Sequence, residues 1–208
     1  MQPVPPLPGS LAGIELPGDR VSRSVWAWAH RSLPEYLRAH SVRSYCWAAA
    51  LGDREGIAYD RAILWVAALL HDVGLTSLPQ NTMCFEVEGA ERARRLLERF
   101  GMDPSAADRA AIAIILHMQP GVTVADGAEA ALLDRSTGLD VRGDGYDLID
   151  GVRDAIVEAF PRGAFDRRFL AAIRREAAAR PACQSARLLN GTGLADSMAR
   201  SPWAAASR

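Results

Sequence analysis

The clearest chemical signal in this chain is a His-Asp pair directly after a strongly apolar segment. His71 and Asp72 follow the run ILWVAALL, residues 63–70. Burying an imidazole and a carboxylate in such surroundings costs several kcal/mol unless something compensates them, and a divalent cation compensates both at once. The pair therefore indicates a metal site, although a helix C-terminus capped by a hydrogen-bonded histidine is the simpler alternative.

Two more residues have comparable apolar surroundings. His40 shares a predicted helix with an apolar face that includes Trp47, so it can point inward towards His71. Asp140 lies between the apolar residues Leu139 and Val141. Asp134, by contrast, is followed by Arg135 and is easier to explain as part of a solvated ion pair.

These residues predict one metal site in the core of a helical bundle. A histidine, a His-Asp pair and a distant aspartate on three separate helices can meet at one point. The predicted ligands are His40, His71, Asp72 and Asp140. Two imidazoles and two carboxylates suit one divalent transition ion, with zinc expected and iron, manganese or cobalt as alternatives.

The same residues resemble a known family. The frame His40, His71-Asp72, Asp140 resembles the HD-domain superfamily of metal-dependent phosphohydrolases and their relatives. The segments AHSVRSY, LLHDVGLT, FEVEGAERA, ILHMQPG and LDVRG look like its cyanamide-hydratase-like branch, over roughly residues 12–185. The resemblance implies an all-α fold and one zinc-type ion that activates water or polarises a small nitrile. Asp140 also has the D-x-x-G context of the family's last metal aspartate, and Asp134 does not.

Three further residues are candidates for the active site, each with a structural alternative. His117 precedes a Met-Gln-Pro-Gly turn and is predicted to donate a proton or contact substrate, or else to cap a helix. Glu86 is either an active-site carboxylate or the first-turn acid of a helix. Arg43 shares a helix face with His40, so it can hold an anionic substrate or pair with a surface acid.

Helical spacing of the apolar residues predicts an all-α bundle in one domain. The expected helices cover about 21–31, 34–51, 60–73, 86–100, 104–117, 127–141, 146–159 and 164–179. Four prolines within residues 1–8 predict an irregular N-terminal segment at 1–20, followed by an HD-type domain at 21–185. Residues 186–208 are predicted to form a tail that docks weakly.

Composition restricts the partners and the location. The formal net charge of −1 and the lack of a long basic run argue against a nucleic-acid partner. No apolar run is long enough for a membrane span, and the N-terminus lacks the features of a signal peptide, so a cytoplasmic protein is expected. The three cysteines form no CxxC pair and are expected to be reduced. Arginine without lysine suggests a bacterial source, and a homodimer is left open.

Three functions are compatible with these residues. The first is hydration or hydrolysis of a small polar molecule such as cyanamide or a nitrile, with Asp72 accepting a hydrogen bond from water and His117 passing a proton. The second is phosphomonoester or nucleotide hydrolysis, which requires Arg43 or another arginine to hold phosphate. The third is a catalytically silent binding module. The intact set of predicted metal ligands argues against it, because a degenerate site would be expected to lose ligands.

Overall fold

The computed structural model describes residues 3–77, 83–191 and 193–206, and helices dominate them. About 72% of the protein is helical, and the sheet found within these ranges is one two-stranded hairpin formed by β1 and β2. The all-α prediction is confirmed. The elements are β1 (Ser10–Leu11), β2 (Ile14–Glu15), α1 (Arg20–Ser32), α2 (Glu35–Glu55), α3 (Arg61–Leu70), α4 (Phe85–Phe100), α5 (Pro104–Leu116), α6 (Ala128–Arg142), α7 (Asp150–Ala159), α8 (Phe165–Ala179), α9 (Gln184–Gly191), α10 (Leu194–Arg200) and α11 (Pro202–Ala206).

Helices α2, α3 and α6 form the interior of the bundle. α2 packs against α3, α6 and α8, while α3 also contacts α1, α5 and α6. Every residue of α3 from Ile63 to Leu70 is buried, because this helix is apolar on all sides and has neighbours all round. Asp60 caps its N-terminus by accepting hydrogen bonds from the backbone amides of Ala62 and Ile63.

Gly74 allows α4 to begin beside the end of α3. It lies in a short 3-10 helix, Val73–Thr76, directly after Asp72. A Cβ atom at Gly74 would collide with the carbonyl oxygen of Phe85, the first residue of α4. A larger residue here would therefore push the N-terminus of α4 away from the His-Asp pair.

A disulfide joins Cys84 to Cys183, which corrects the expectation that all three cysteines are reduced. The bond links the N-terminal ends of α4 and α9 across 99 residues of sequence. Such a distant pairing leaves no local spacing pattern for sequence reasoning to detect. Cys46, by contrast, is a buried free thiol.

The C-terminal segment also packs more firmly than expected. α10 contacts α6, and the Trp203 side chain is 1% exposed. Its indole nitrogen donates a hydrogen bond of 2.7 Å to the carbonyl oxygen of Leu139. This segment therefore covers the part of α6 that carries Asp140. None of the helices within the described ranges is long and apolar enough to cross a membrane.

Candidate metal centre

His71 and Asp72 lie where α3 ends. His71 is the C-terminal cap of that helix, and its Nδ1 is 2.8 Å from the carbonyl oxygen of Ala68. A carbonyl oxygen only accepts hydrogen bonds, so Nδ1 carries the hydrogen and Nε2 is left with a lone pair. Asp72 follows at the start of the 3-10 helix and is 2% exposed.

His40 reaches this pair from the middle of α2. Its Nε2 lies 3.1 Å from Nε2 of His71 and 3.7 Å from Oδ2 of Asp72. The third edge of the triangle, from His71 Nε2 to Asp72 Oδ2, measures 3.2 Å. All three residues are buried, and together they form a group that could hold a metal ion.

The donor atoms of this triangle fit one cation. Nδ1 of His40 donates to the ionised Asp140, so the Nε2 atoms of His40 and His71 face each other as lone pairs. Oδ2 of Asp72 has no hydrogen-bond partner among the residues described. Ligands held at 2.0–2.2 Å from one ion lie about 2.8–3.6 Å apart, close to the observed edges. His40, His71 and Asp72 would therefore hold the ion.

The protonation behaviour of the triangle also favours a positive charge at its centre. Burial lowers the pKa of His71, but the Asp72 carboxylate, the carbonyl oxygen of Ala68 and Asp140 together raise it overall. Burial raises the pKa of Asp72, and interaction with His71 reverses this and brings it to about 2. Without an ion, a proton near His71 provides the charge that a metal would provide.

Asp140, predicted as the fourth ligand, is not brought into this triangle. Its Oδ2 lies 2.7 Å from Nδ1 of His40, which is the ring nitrogen remote from His71. The two carboxylate oxygens also accept hydrogen bonds from Arg43 and from the indole of Trp47. Arg162 lies 3.5 Å away. Burial would raise the pKa of Asp140, but the two arginines hold it well below its usual range.

Arg43, predicted to bind substrate, is fully buried and does not line the cavity beside the triangle. Its Nε and Nη2 atoms donate to Asp140 at 2.8 and 2.7 Å, and Nη1 donates to the carbonyl oxygens of Phe160 and Pro161. These bonds use four of its five N–H donors, and the buried group lies outside the cavity, so it is not placed to hold an anionic substrate.

A cavity of about 340 Å³ opens beside the triangle. His40, His71, Asp72 and His117 all line it. The ring centroid of His117 is 4.9 Å from that of His71, and its Nδ1 is bonded to the carbonyl oxygen of Ile114. Burial lowers the pKa of His117 to about 4, so at neutral pH this residue holds no proton at Nε2 to donate. His117 is therefore not protonated at neutral pH in the way that the predicted role as proton donor requires.

Glu86, the other predicted catalytic residue, is buried outside that cavity. It lies in the first turn of α4, and burial raises its pKa, with Glu176 contributing in the same direction. The Cys84–Cys183 disulfide adjoins it in sequence. The structure thus keeps Glu86 apart from the His-Asp triangle.

Asp134 has a different environment from the one expected. Its sequence neighbour Arg135 pairs with Glu55 on the protein surface, while Asp134 itself lines the cavity. Successive helical residues point about 100° apart, so adjacent charges need not pair. Burial raises the pKa of Asp134 to about 6.

Sequence reasoning also missed several polar residues of the cavity. Thr137 lies one helical turn before Asp140 on α6, and its hydroxyl donates to the carbonyl oxygen of Asp134. Gln119 and Gln184 line the same space. Gln119 lies in the turn after His117, and this closeness in sequence to a predicted site residue could have indicated it. Gln184 reaches the cavity only because α9 folds back over it, so no local pattern indicates it.

The family comparison agrees with this geometry. The family model of the HD domain matches residues 37–141, half of the chain, and the match includes His40, His71, Asp72 and Asp140. No curated protein gives a match. The chain therefore belongs to the HD domain family, whose members are generally metal-dependent hydrolases.

Proposed function

We propose that this protein uses a divalent metal, with zinc as the first candidate, to hydrate or hydrolyse a small uncharged molecule. Cyanamide and simple nitriles are the proposed substrate class, in keeping with the resemblance to the cyanamide-hydratase-like branch. Cytoplasmic action on a freely diffusing small molecule remains part of this proposal. The ion would supply Lewis acidity that lowers the pKa of a water towards neutrality.

The charge balance of the cavity is the observation that supports an uncharged substrate. Arg142 is the one arginine among its described lining residues, and it already pairs with Asp144. Arg43 already forms a buried ion pair with Asp140. Asp134 adds a carboxylate to the cavity wall, so a phosphate dianion would face repulsion with little cationic compensation.

The cavity wall is otherwise largely apolar and favours a nitrile with a small apolar substituent. A volume of about 340 Å³ lies at the small end of ligand sites and leaves space beyond cyanamide itself. The apolar part of the wall is formed by Met118, Val141, Phe169, Ile173, Leu188 and Leu194.

Two carboxyl groups of this chain can handle the protons of nitrile hydration. Attack by water forms a C–O bond, breaks one C–N π bond and leaves the nitrogen needing a proton. Asp72, ionised at neutral pH, can accept the proton that the water loses. Asp134, with a pKa of about 6, is mostly ionised at pH 7, and its minor protonated form can supply a proton to nitrogen. Asp72 then releases its proton to solvent and Asp134 takes one up, which restores both carboxyls. Rearrangement of the resulting imidic acid then gives the amide, or urea from cyanamide.

The test compares kcat/KM for cyanamide and for acetonitrile with that for a nucleoside monophosphate, using metal-replete protein. We expect nitrile hydration to exceed phosphate release. Arg142→Gln should leave nitrile turnover within about threefold, since Arg142 already pairs with Asp144. Arg109→Gln, which removes a distant ion pair with Glu129, is the matched control.

Two outcomes would contradict the proposal. Efficient phosphate release that disappears in Arg142→Gln, without nitrile turnover, would show a phosphomonoester hydrolase. Stoichiometric metal binding without turnover of either class, and with tight binding of an uncharged ligand, would show a silent binding module.

A further inference from the structure

A second cavity, of about 290 Å³, lies where α1, the end of α3 and α4 meet. It shares no described lining residue with the cavity beside the triangle. Its volume is close to the lower limit of small-molecule sites in proteins. A molecule bound here would therefore occupy a site separate from the His-Asp triangle.

The inner wall of this second cavity is apolar. Leu70 and Val73, which directly flank the His-Asp pair in sequence, are buried, and Ala93 and Leu96 of α4 continue the same surface. Trp28 of α1 is half-buried and adds an indole ring. An aromatic ring suits such a wall, because it buries a large apolar area and can pack against the indole.

The polar side of the second cavity is formed by three arginines of α4. Arg92, Arg95 and Arg99 are spaced three and four residues apart, so they lie on one face of the helix. None of the described lining residues is acidic. Arginine side chains offer hydrogen-bond donors and no acceptor, and they keep their charge at neutral pH. The cavity is therefore complementary to an anion, although the whole chain has a formal net charge of −1.

Two of the three guanidinium groups have donors to spare for a ligand. Arg95 pairs with Glu91 at 3.2 Å on the exposed surface. Arg92 uses Nη1 for the carbonyl oxygen of Val73 at 3.0 Å, and its Nε and Nη2 atoms make no hydrogen bond with a described residue. Arg99 makes no ion pair within the described ranges. A carboxylate in this cavity can accept charge-assisted hydrogen bonds from Arg92 and Arg99.

We propose that this cavity is a second binding site, for a small aromatic anion such as an aromatic carboxylate. The ring would lie on Trp28 and Leu70, and the oxyanion would bind Arg92 and Arg99. The inference depends neither on the metal centre nor on the substrate of the proposed function. An uncharged nitrile, which the first cavity is proposed to accept, would gain nothing from the arginines.

The test is a titration of the zinc-loaded full chain with 2-naphthalenesulfonate, followed by the indole N–H signal of Trp28 in nuclear magnetic resonance spectra. This probe has an aromatic body and a permanent negative charge, and a sulfonate coordinates metal ions only weakly. Trp28→Phe identifies the signal by removing it. Methyl 2-naphthyl sulfone, which has the same ring system without the charge, is the matched neutral ligand. We expect a saturable shift of the Trp28 signal and a Kd lower than that of the sulfone by about fivefold or more.

Arg99→Gln removes one charge from the cavity and should weaken sulfonate binding about three- to tenfold, since a hydrogen bond from a charged group is lost. Arg94→Gln is the matched control, because Arg94 pairs with Glu98 on the same helix and does not line the cavity. Its Kd should stay within about twofold of the wild-type value. Equal weakening in the two variants would show general attraction to a basic helix surface and would overturn the proposal. Equal affinities for the two ligands, or no shift of the Trp28 signal with the probe in large excess, would also overturn it.

Discussion

Two buried aspartates flank the ring of His40 and have opposite hydrogen-bond environments. Asp72 faces the cavity, and its Oδ2 has no hydrogen-bond partner in the described ranges. Asp140 lies on the other side of the ring and accepts from His40, Arg43 and Trp47. The Asp72 carboxylate lies within ion-pair distance of the imidazoles of His71 and His40 and can accept a cation as well, whereas the saturated carboxylate of Asp140 already has its compensation. The comparison separates a ligand-binding side of His40 from a supporting side.

The largest effect is expected on the supporting side. Asp140→Ala would leave the buried guanidinium of Arg43 without its counter-charge, which typically costs about 3–5 kcal/mol. Urea unfolding in the presence of a chelator measures this loss. Asp53→Ala is the matched control, because its ion pair with Arg61 is exposed and should contribute less than about 1 kcal/mol. Equal losses of unfolding free energy in Asp140→Ala and Asp53→Ala would contradict the special role of the buried pair between Asp140 and Arg43.

The opposite behaviour is expected on the ligand-binding side. Asp72→Asn should destabilise the metal-free protein less than Asp140→Ala does, because Asp72 pairs with the imidazole of His71 at 3.2 Å whereas Asp140 neutralises the permanently charged guanidinium of Arg43. Zinc at a free concentration 100 times its Kd should stabilise the wild type by about 2.7 kcal/mol. The variant should gain much less from the same zinc. A full zinc-dependent gain in Asp72→Asn would refute the role of Asp72.

A smaller effect should separate the shape of Arg43 from its charge. Arg43→Lys keeps the charge but loses the bidentate contact with Asp140 and bonds to Phe160 and Pro161. We expect a loss of about 1–3 kcal/mol in stability, with bound zinc still stoichiometric. Thermal unfolding and metal analysis of the same preparation test both parts. Loss of the metal at unchanged stability would place Arg43 in the site itself.

The smallest effect concerns Asp134 and pH. Its folded-state pKa of about 6 lies above the ordinary value of 3.8, so the folded protein binds more protons than the unfolded chain between these values. Its contribution to stability therefore decreases as pH rises through this window. Asp134→Asn should become more stable than the wild type by about 1 kcal/mol or less at pH 7, and by less at pH 4. A stability difference that does not depend on pH would contradict the raised pKa.

Sequence reasoning was most successful where the signal was local. Asp103 accepts hydrogen bonds from the amides of Ser105 and Ala106, and Pro104 begins α5, as this capping pair indicates. The helices therefore agree with their expected positions to within a few residues in most cases. Gly101 ends α4 in the left-handed conformation for the same local reason.

The features that could not be predicted depend on contacts between distant segments. Asp72 and Asp140 both lie beside apolar segments in the sequence, and only the fold shows which one has saturated hydrogen bonds. His40, Arg43 and Trp47 are spaced three and four residues apart on one face of α2, and all three contact Asp140. That spacing indicates a buried hydrogen-bond network. It was not recognised in the sequence because an arginine is ordinarily expected at the surface and not on an apolar helix face.

Anomalous diffraction from crystals of the full chain grown with zinc tests the central claim most directly. We expect one peak about 2.0–2.2 Å from Nε2 of His40, Nε2 of His71 and Oδ2 of Asp72, on the cavity side of the His40 ring. A peak bonded to the Asp140 carboxylate, or no ordered zinc near the triangle at saturating concentration, would contradict it.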